Sequence, residues 1–201
     1  MTVQVRPASA TSKQRLLEAT IDYVARHGMG DLSLRRLATA IGTSHRMLIY
    51  HFGSKDGLLV AVVRAAERAQ RDALAELDLD ADLTEADLLL RMWKRLADPA
   101  LWPQERLFFE IYGQALQGRG HSVQLLDDIV DSWVEPVAAK LRKTRGLTRS
   151  IARADARLRL AVVRGLLLDL LATGDRAGAD HAMKLFVERY VPPDDSSGRN
   201  R

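Results

Sequence analysis

The chain of 201 residues contains no cysteine. This absence excludes disulfide frameworks, thiol nucleophiles, cysteine-ligated zinc and iron–sulfur clusters. Hydrophobic residues make up 47% of the chain and charged residues 28%, which is typical of a folded globular protein and excludes wholesale disorder.

Long hydrophobic runs are also missing. The richest run, residues 160–172, is interrupted by Arg164 and Asp169 and is too short to span a bilayer. The N-terminal sequence MTVQVRPASATSK has no apolar core of a signal peptide. We therefore expect a cytoplasmic protein, associated with the nucleoid if it binds DNA, and no membrane partner.

Metal-site and catalytic signatures are absent as well. The five histidines, at 27, 45, 51, 121 and 181, have no zinc-type spacing, and no glutamate is followed by histidine three residues later, as a helical di-metal site requires. No phosphate loop, dinucleotide fingerprint or nucleophile elbow occurs. We expect no metal, no cofactor and no enzyme activity. The alternative class is an enzyme that needs neither metal nor cofactor, but no feature of the sequence favours it.

The positive charge is concentrated near the N-terminus. Residues 1–56 hold 8 Lys/Arg and 4 Asp/Glu, whereas residues 57–201 hold 22 of each, so the net charge of +4 belongs to the first quarter of the chain. This favours a polyanionic partner there. Residues 67–87 are strongly acidic and residues 140–164 strongly basic. The basic block is either a nucleic-acid patch or, as we favour, a set of arginines that pair with the acidic block.

Hydrophobic residues recur at helical spacing, and no useful strand-like alternation occurs, so we predict an all-α fold of about nine helices. Serine and threonine caps and glycine stops, such as Ser33, Gly28 and the capping-box pair Thr84 and Asp87, suggest the boundaries. The predicted helices cover about 12–27, 34–41, 44–51, 55–77, 85–97, 103–117, 122–144, 151–173 and 177–190. Residues 1–11 and 192–201 are predicted to be disordered tails.

Two short helices around Gly42 have helix-turn-helix spacing. The small side chain of Ala38 lets the two helices approach, Gly42 permits a positive φ at the turn, and Leu48 packs the second helix onto the first. This unit is therefore the strongest functional signal in the chain.

The outer face of the second of these helices is polar, basic and aromatic. Such a helix can enter the major groove of DNA, where Arg46 would read guanine; base reading is favoured slightly over phosphate contact because Arg46 lies early on this face. Hydroxyl and ammonium groups nearby are expected to contact phosphates. The expected DNA-contacting residues are Ser33, Thr43, Ser44, His45, Arg46, Tyr50 and Lys55.

The segment GTSHRMLIYHFGSKDGLL, residues 42–59, resembles the tetracycline-repressor (TetR) family of bacterial transcriptional regulators. The matching residues are Gly42, Ser44, Leu48, Tyr50, His51, Phe52, Ser54, Lys55, Asp56 and Leu59. Helix 12–27 with Gly28 and the run 32–38, which begins with Leu32, match as well, whereas Arg46 replaces a residue that is usually small in the family. The resemblance implies a DNA-binding domain over 12–56, a ligand-binding and dimerisation domain over 57–191, and repression relieved by a small molecule.

Most aromatic residues fall within residues 84–173, where they form either a pocket for an apolar or aromatic effector or plain core. The candidate effector contacts are Met92, Trp93, Trp102, Phe108, Phe109, Tyr112 and Trp133. Glu110 gives a weak indication of a cationic ligand. For any single residue, core packing is the more probable role.

The helix predicted at 151–173 is apolar nearly all round, so it is either central in the core or covered by another chain. The family resemblance favours a homodimer, whose twofold symmetry predicts an operator with inverted half-sites. The candidate interface residues are Leu158, Val162, Gly165, Leu166, Leu185, Phe186 and Tyr190. A helical ligand-binding or adaptor protein without DNA binding is a third class, but it would leave the exposed Arg46, Tyr50 and Lys55 unexplained.

Overall fold

The computed structural model describes residues 11–27, 33–77 and 83–192. Within these ranges the chain forms nine α-helices and no strand, as predicted. The helices are α1 Ser12–His27, α2 Leu34–Ala40, α3 His45–Phe52, α4 Lys55–Leu77, α5 Glu85–Leu96, α6 Trp102–Leu116, α7 Asp131–Arg145, α8 Arg149–Thr173 and α9 Arg176–Tyr190. The predicted stop at Gly28, the family match at Leu32 and residues 1–10 and 193–201 of the predicted tails lie outside the described residues.

Local capping accounts for most of these boundaries. The hydroxyls of Ser33 and Ser44 accept hydrogen bonds from backbone amides in the first turns of α2 and α3. Thr84 and Asp87 form the predicted capping box of α5. Because such signals act within a few residues, eight of the nine helices begin and end within two residues of the prediction.

The prediction of one helix over 122–144 is wrong. The chain instead forms a 3-10 helix, Gly120–Asp127, then a turn, and α7 begins only at Asp131. Leu125 and Ile129 are buried in a core with α4 and α6, whereas Val134 and Ala138 are buried in another with α8. One straight helix would not serve both cores, so the chain changes direction between them. Pro136, where a kink was expected, lies inside α7.

Three apolar clusters hold the helices together. The first joins α1–α4 to α6 and the 3-10 helix through residues such as Leu17, Leu58 and Ile111. The second joins α5, α8 and α9, and the third joins α7 to α8. Residues on both sides of the predicted domain boundary at 56 and 57 therefore share one core, and α4 runs from the helix-turn-helix into the body of the protein.

Gly57 allows a close approach between α3 and α4. A Cβ atom at this position would collide with the backbone carbonyl oxygen of Phe52, at the end of α3. The side chain of Ser54 also accepts a hydrogen bond from the Gly57 amide, 2.9 Å away, which starts α4 at this point.

We expect Gly57→Ala to lower the free energy of unfolding by about 1–3 kcal/mol, because the new methyl group forces backbone apart in a packed region. Urea and thermal unfolding measure the change. Gly113→Ala in α6 is the matched control: its Cβ meets nothing within 4 Å, so the gain in helix propensity should leave stability equal or higher. A Gly57→Ala variant as stable as the wild type would contradict the collision.

Candidate nucleic-acid interface and ligand cavity

The geometry of a helix-turn-helix is present at α2 and α3. Gly42 has a φ of 70°, and the next amide, that of Thr43, donates to the carbonyl of Ala38 at 2.9 Å. Leu48 is 1% exposed and belongs to the first core together with Ala38. The sequence-based interpretation of these three positions is confirmed.

The outer side of α3 carries the side chains that were expected to meet DNA. Tyr50 is 78% exposed, and Ser44, His45 and Arg46 are exposed with it. Lys55 is exposed at the first residue of α4. The structure therefore places these residues along one helix and at the start of the next.

The remaining predicted contacts lie at helix starts. The Ser33 and Ser44 hydroxyl oxygens accept from the amides of Arg36 and Met47 at 3.2 and 3.1 Å, which leaves each hydroxyl proton able to donate to a phosphate. Thr43 is half-buried. Contact of these residues with DNA stays a prediction.

A cavity of about 430 Å³ lies among α4–α8. Its apolar wall includes Leu89, Leu160 and Leu167, together with three predicted effector contacts. Those three are Met92, Phe108 and Trp133. The volume is within the range of small-molecule sites.

The other four predicted effector contacts are not among the residues that line this cavity. The indole nitrogen of Trp93 donates to Asp180 at 2.6 Å, and that of Trp102 donates to a backbone carbonyl. Phe109 and Tyr112 pack against Phe108, with ring centroids 5.1 and 5.5 Å away. Phe109 and Tyr112 therefore contact a lining residue without lining the cavity themselves.

Polar groups that the sequence analysis did not single out are buried in the cavity wall. Glu67 and Gln70 lie on α4 and Glu105 on α6. The Trp133 indole nitrogen donates to Glu67 at 2.5 Å, and the Gln70 amide nitrogen donates to Glu105 at 2.5 Å. The spacing of Glu67 in the sequence could have indicated its burial. Glu67 follows Leu59 and Val63 at intervals of four residues, so it lies on the same buried face of the helix.

Burial raises the pKa of both carboxyl groups, because a low-dielectric environment disfavours the charged form. The pKa of Glu105 rises to about 7; the hydrogen bond from Gln70 lowers it, and the charge of Glu67 raises it further. For Glu67, the hydrogen bond from Trp133 and the charge of Arg164 oppose the effect of burial. Glu105 is thus a carboxyl group that titrates near neutral pH inside a cavity.

Glu110, which the sequence suggested as a contact for a cationic ligand, does not line the cavity. Its side chain is exposed and accepts a hydrogen bond from Gln114 at 3.3 Å. It is not among the cavity-lining residues, so the weak indication of a cation-selecting role for Glu110 is not supported by its position.

The acidic and basic blocks pair with each other. Glu85 contacts Arg145 at 2.6 Å and Arg159 at 3.2 Å, and Glu67 lies 3.7 Å from Arg164. The favoured interpretation of the basic block, pairing within the protein, is confirmed at these arginines. They fasten α5 and α4 to α7 and α8.

An apolar stripe runs along the outer side of α8. Leu158 is 49% exposed, and exposed small or apolar residues follow at alternating intervals of three and four. The stripe consists of Ala154, Leu158, Ala161, Gly165, Leu168 and Ala172. Of the predicted interface residues, Leu185 and Tyr190 on α9 are exposed too, whereas Val162, Leu166 and Phe186 are partly buried against the second core.

Within the described ranges, no group of three or more potential ligands is placed to hold a metal ion. In the same ranges, no helix is long and apolar enough to cross a membrane.

Comparison with known proteins gives a consistent result. Residues 16–62 match the family model of bacterial regulatory proteins, tetR family. The chain is 46% identical over 54 residues to the HTH-type transcriptional regulatory protein RaaS of Mycobacterium tuberculosis, a match that spans 27% of this chain and 25% of that protein. It is 26% identical to the HTH-type transcriptional regulator BetI of Pseudomonas fluorescens, over 88% of this chain and 89% of BetI.

Solved structures share the whole fold. One is a proposed transcriptional regulator from Saccharomonospora viridis in complex with choline, which superposes with a TM-score of 0.65 at 24% identity and covers 89% of this chain and 96% of the other. The likeness therefore extends from the helix-turn-helix through the helical body.

The raised pKa of Glu105 has a consequence for stability. Between about pH 4.5, the usual value, and about pH 7, the folded protein holds a proton that the unfolded chain has released, so the free energy of unfolding falls as the pH rises through this window. We expect Glu105→Gln to remove this contribution. Its stability relative to the wild type should increase by roughly 2–3 kcal/mol between pH 5 and pH 8.

Urea unfolding of both proteins at the two pH values measures this difference. Glu110→Gln, at an exposed site on the same helix, is the control for the same exchange at a glutamate that is not buried. If the free energies of unfolding of Glu105→Gln and the wild type differ by the same amount at both pH values, the raised pKa of Glu105 is contradicted.

Proposed function

Because the chain belongs to the tetR family of bacterial regulatory proteins, we propose that it is a homodimeric repressor, released from a palindromic operator by a small molecule. The observation that carries this proposal is the position of α4, which begins against the exposed recognition helix α3 and then lines the ligand cavity. The proposed role is regulatory and not catalytic, as in the curated relatives.

Binding to DNA is assigned to the outer side of α3. We propose that Arg46 reads a base in the major groove and that Tyr50, Lys55 and the hydroxyls at the helix starts hold the phosphate backbone. The remaining assigned contacts are Ser33, Thr43, Ser44 and His45.

We propose that release of the operator depends on α4, which extends from α3 to the ligand cavity. Glu67 and Gln70 are cavity residues, and α4 also carries the first turn that packs on α3. A ligand that binds one position of α4 better than another shifts the population toward that position. In a dimer, this shift would change the separation of the two recognition helices and weaken operator binding.

Dimerisation is assigned to α8 and α9. The exposed stripe on α8 has the spacing of a helix-packing seam, and its small residues allow a second helix to approach closely. A twofold dimer presents two recognition helices to inverted half-sites about one helical turn of DNA, or a multiple of it, apart.

The cavity, together with the ligands bound in two similar structures, supports a small-molecule effector. Choline occupies the Saccharomonospora viridis structure, and imidazole is bound in the multidrug binding protein EbrR, which is 24% identical to this chain with a TM-score of 0.60. The proposed contacts on this chain are Met92, Phe108 and Trp133.

Selection of genomic DNA fragments from the source organism tests the proposal. Sequencing of the retained fragments should reveal an inverted repeat. On that site, Arg46→Ala should cost about 1–3 kcal/mol of binding free energy and relax the preference at one base pair. Lys55→Ala should weaken binding on all sequences and reduce the slope of log K against log salt by about 0.9.

Two results would count against this assignment. Retention without any motif, lost as salt is raised, would mean binding by charge alone. An equal loss on every sequence from Arg46→Ala would remove Arg46 as the base reader.

The variant Leu158→Asp tests the proposed dimer interface. A carboxylate in the middle of an apolar interface should convert the dimer to monomers, because its charge would lose water without gaining a partner. Sedimentation velocity measures the mass. Leu116→Asp, at another exposed leucine on α6, is the control and should stay dimeric. A monomeric wild type, or a Leu158→Asp variant that remains dimeric, would contradict the interface.

A further inference from the structure

We propose that the cavity binds a monocationic amine, with its ammonium group held by Glu67 and Glu105 and its apolar part against Met92 and Phe108. The proposal rests on the ligand-binding role proposed above and names the chemical class of the ligand. It starts from two buried acids on two different helices that face one cavity.

The two carboxyl groups have unused hydrogen-bonding capacity. A carboxylate accepts about four hydrogen bonds. Among the described residues, one hydrogen bond reaches each group: Trp133 donates to Glu67, and Gln70 donates to Glu105. Gln70 lies one turn beyond Glu67 on α4, so this bond brings Glu105 to the same side of that helix. An ammonium group, with three donors, complements the acceptors that remain.

The nearby guanidinium groups have several partners, of which Glu67 is only one. Arg164 of α8 donates to the carbonyl of Ile129 at 2.9 Å and lies over the rings of Phe108 and Tyr112, at 5.1 and 5.8 Å. Its distance to Glu67 is 3.7 Å. Arg71 of α4 lies over the Trp133 ring at 5.7 Å.

No ion pair within 4.0 Å involves Glu105 in the described part of the chain. The charged groups that act on Glu105 are Glu67 on α4 and Arg164 on α8; Arg71 acts in turn on Glu67, and Tyr112 on Arg164. The pKa of Glu105, raised to about 7 by burial, agrees with a carboxyl group that lacks a paired cation. A ligand ammonium would take the place of the proton that this group holds.

The rest of the cavity suits an apolar ligand body and offers little to an anion. Phe108 and Trp133 contribute aromatic rings to the cavity wall, which suit the apolar part of a ligand. Arg159, at the cavity wall, is already paired with Glu85 at 3.2 Å and Asp155 at 3.0 Å. An anionic ligand would therefore meet two buried carboxyl groups, and the lining guanidinium groups of Arg71, Arg159 and Arg164 already have partners within the protein.

Isothermal titration calorimetry of the 201-residue chain with 4-phenylbutylammonium and with 4-phenylbutan-1-ol separates the effect of ligand charge from that of ligand shape. We expect the ammonium compound to bind at least about tenfold more tightly than the alcohol, as charged hydrogen bonds are the stronger ones. Glu67→Gln and Glu105→Gln should each weaken the ammonium compound about tenfold and change the alcohol little. Glu110→Gln should leave both affinities unchanged.

The pH dependence identifies the carboxyl group involved. The ammonium stays charged between pH 6 and pH 8. Binding of the ammonium favours the ionised form of Glu105. The affinity of the protein for the ammonium compound should therefore rise about tenfold over this interval, because Glu105, with a pKa of about 7, releases its proton. Glu105→Gln should lose this rise. Circular dichroism at each pH confirms that the variants are folded.

Equal affinity for the two compounds, no binding of either, or unchanged affinity in both glutamine variants would overturn the cationic assignment. Operator release, measured in parallel by fluorescence anisotropy, keeps the two proposals apart. Tight binding of the ammonium through the glutamates without release would support the cation site and contradict the effector role. Operator binding that some other ligand relieves, with no preference for the ammonium, would overturn the cation site alone.

Discussion

Helix α4 packs against α3 at its start and lines the cavity further along, and the rest of the structure depends on this constraint. Its first turn lies so close to α3 that only glycine fits at position 57. Further along, Leu58 and Val63 are buried in the first core, and Glu67 and Gln70 are buried at the cavity. A helix of 23 residues is about 34 Å long. The same helix therefore contacts both α3 and the cavity.

A second contact ties the same helix to the body. The Arg64 guanidinium donates to the backbone carbonyl of Gln124 and lies 3.4 Å from the carboxylate of Asp128. The 3-10 helix that contains Gln124 thus borders α4 between the recognition helix and the cavity. This contact adds to the burial of Leu125 and Ile129 in the first core, which separates the segment from α7.

The sequence predicted features whose cause lies within a few residues. Ser33, Ser44 and the pair Thr84 and Asp87 cap helices through bonds to amides three residues away, so a short window contains the whole cause. The turn at Gly42 is of the same kind. The exposed side of α3 was predicted equally well, since the burial of Leu48 determines which residues point outward.

The cavity could be predicted only in part, because its construction depends on residues far apart in the chain. Glu67 bonds to a residue 66 positions away and Gln70 to one 35 positions away, and no local pattern encodes either pairing. A charged residue is normally exposed, so the burial of Glu105 had no sequence signal strong enough to reverse that expectation. The aromatic residues were expected as a group, yet which of them face the cavity depends on how α5, α6 and α7 turn toward one another.

The small residues on α8 bear on a quantity that is measured on DNA. The distance between two packed helices depends on the side chains at their contact. In a dimer built on the stripe, the absent side chain of Gly165 and the methyl group of Ala161 would let the two helix axes approach closely between Leu158 and Leu168. The spacing of the half-sites that the dimer can recognise would then be determined partly at α8. Two related proteins with identical recognition helices could therefore prefer operators with different spacers, solely because one carries a larger side chain on this helix.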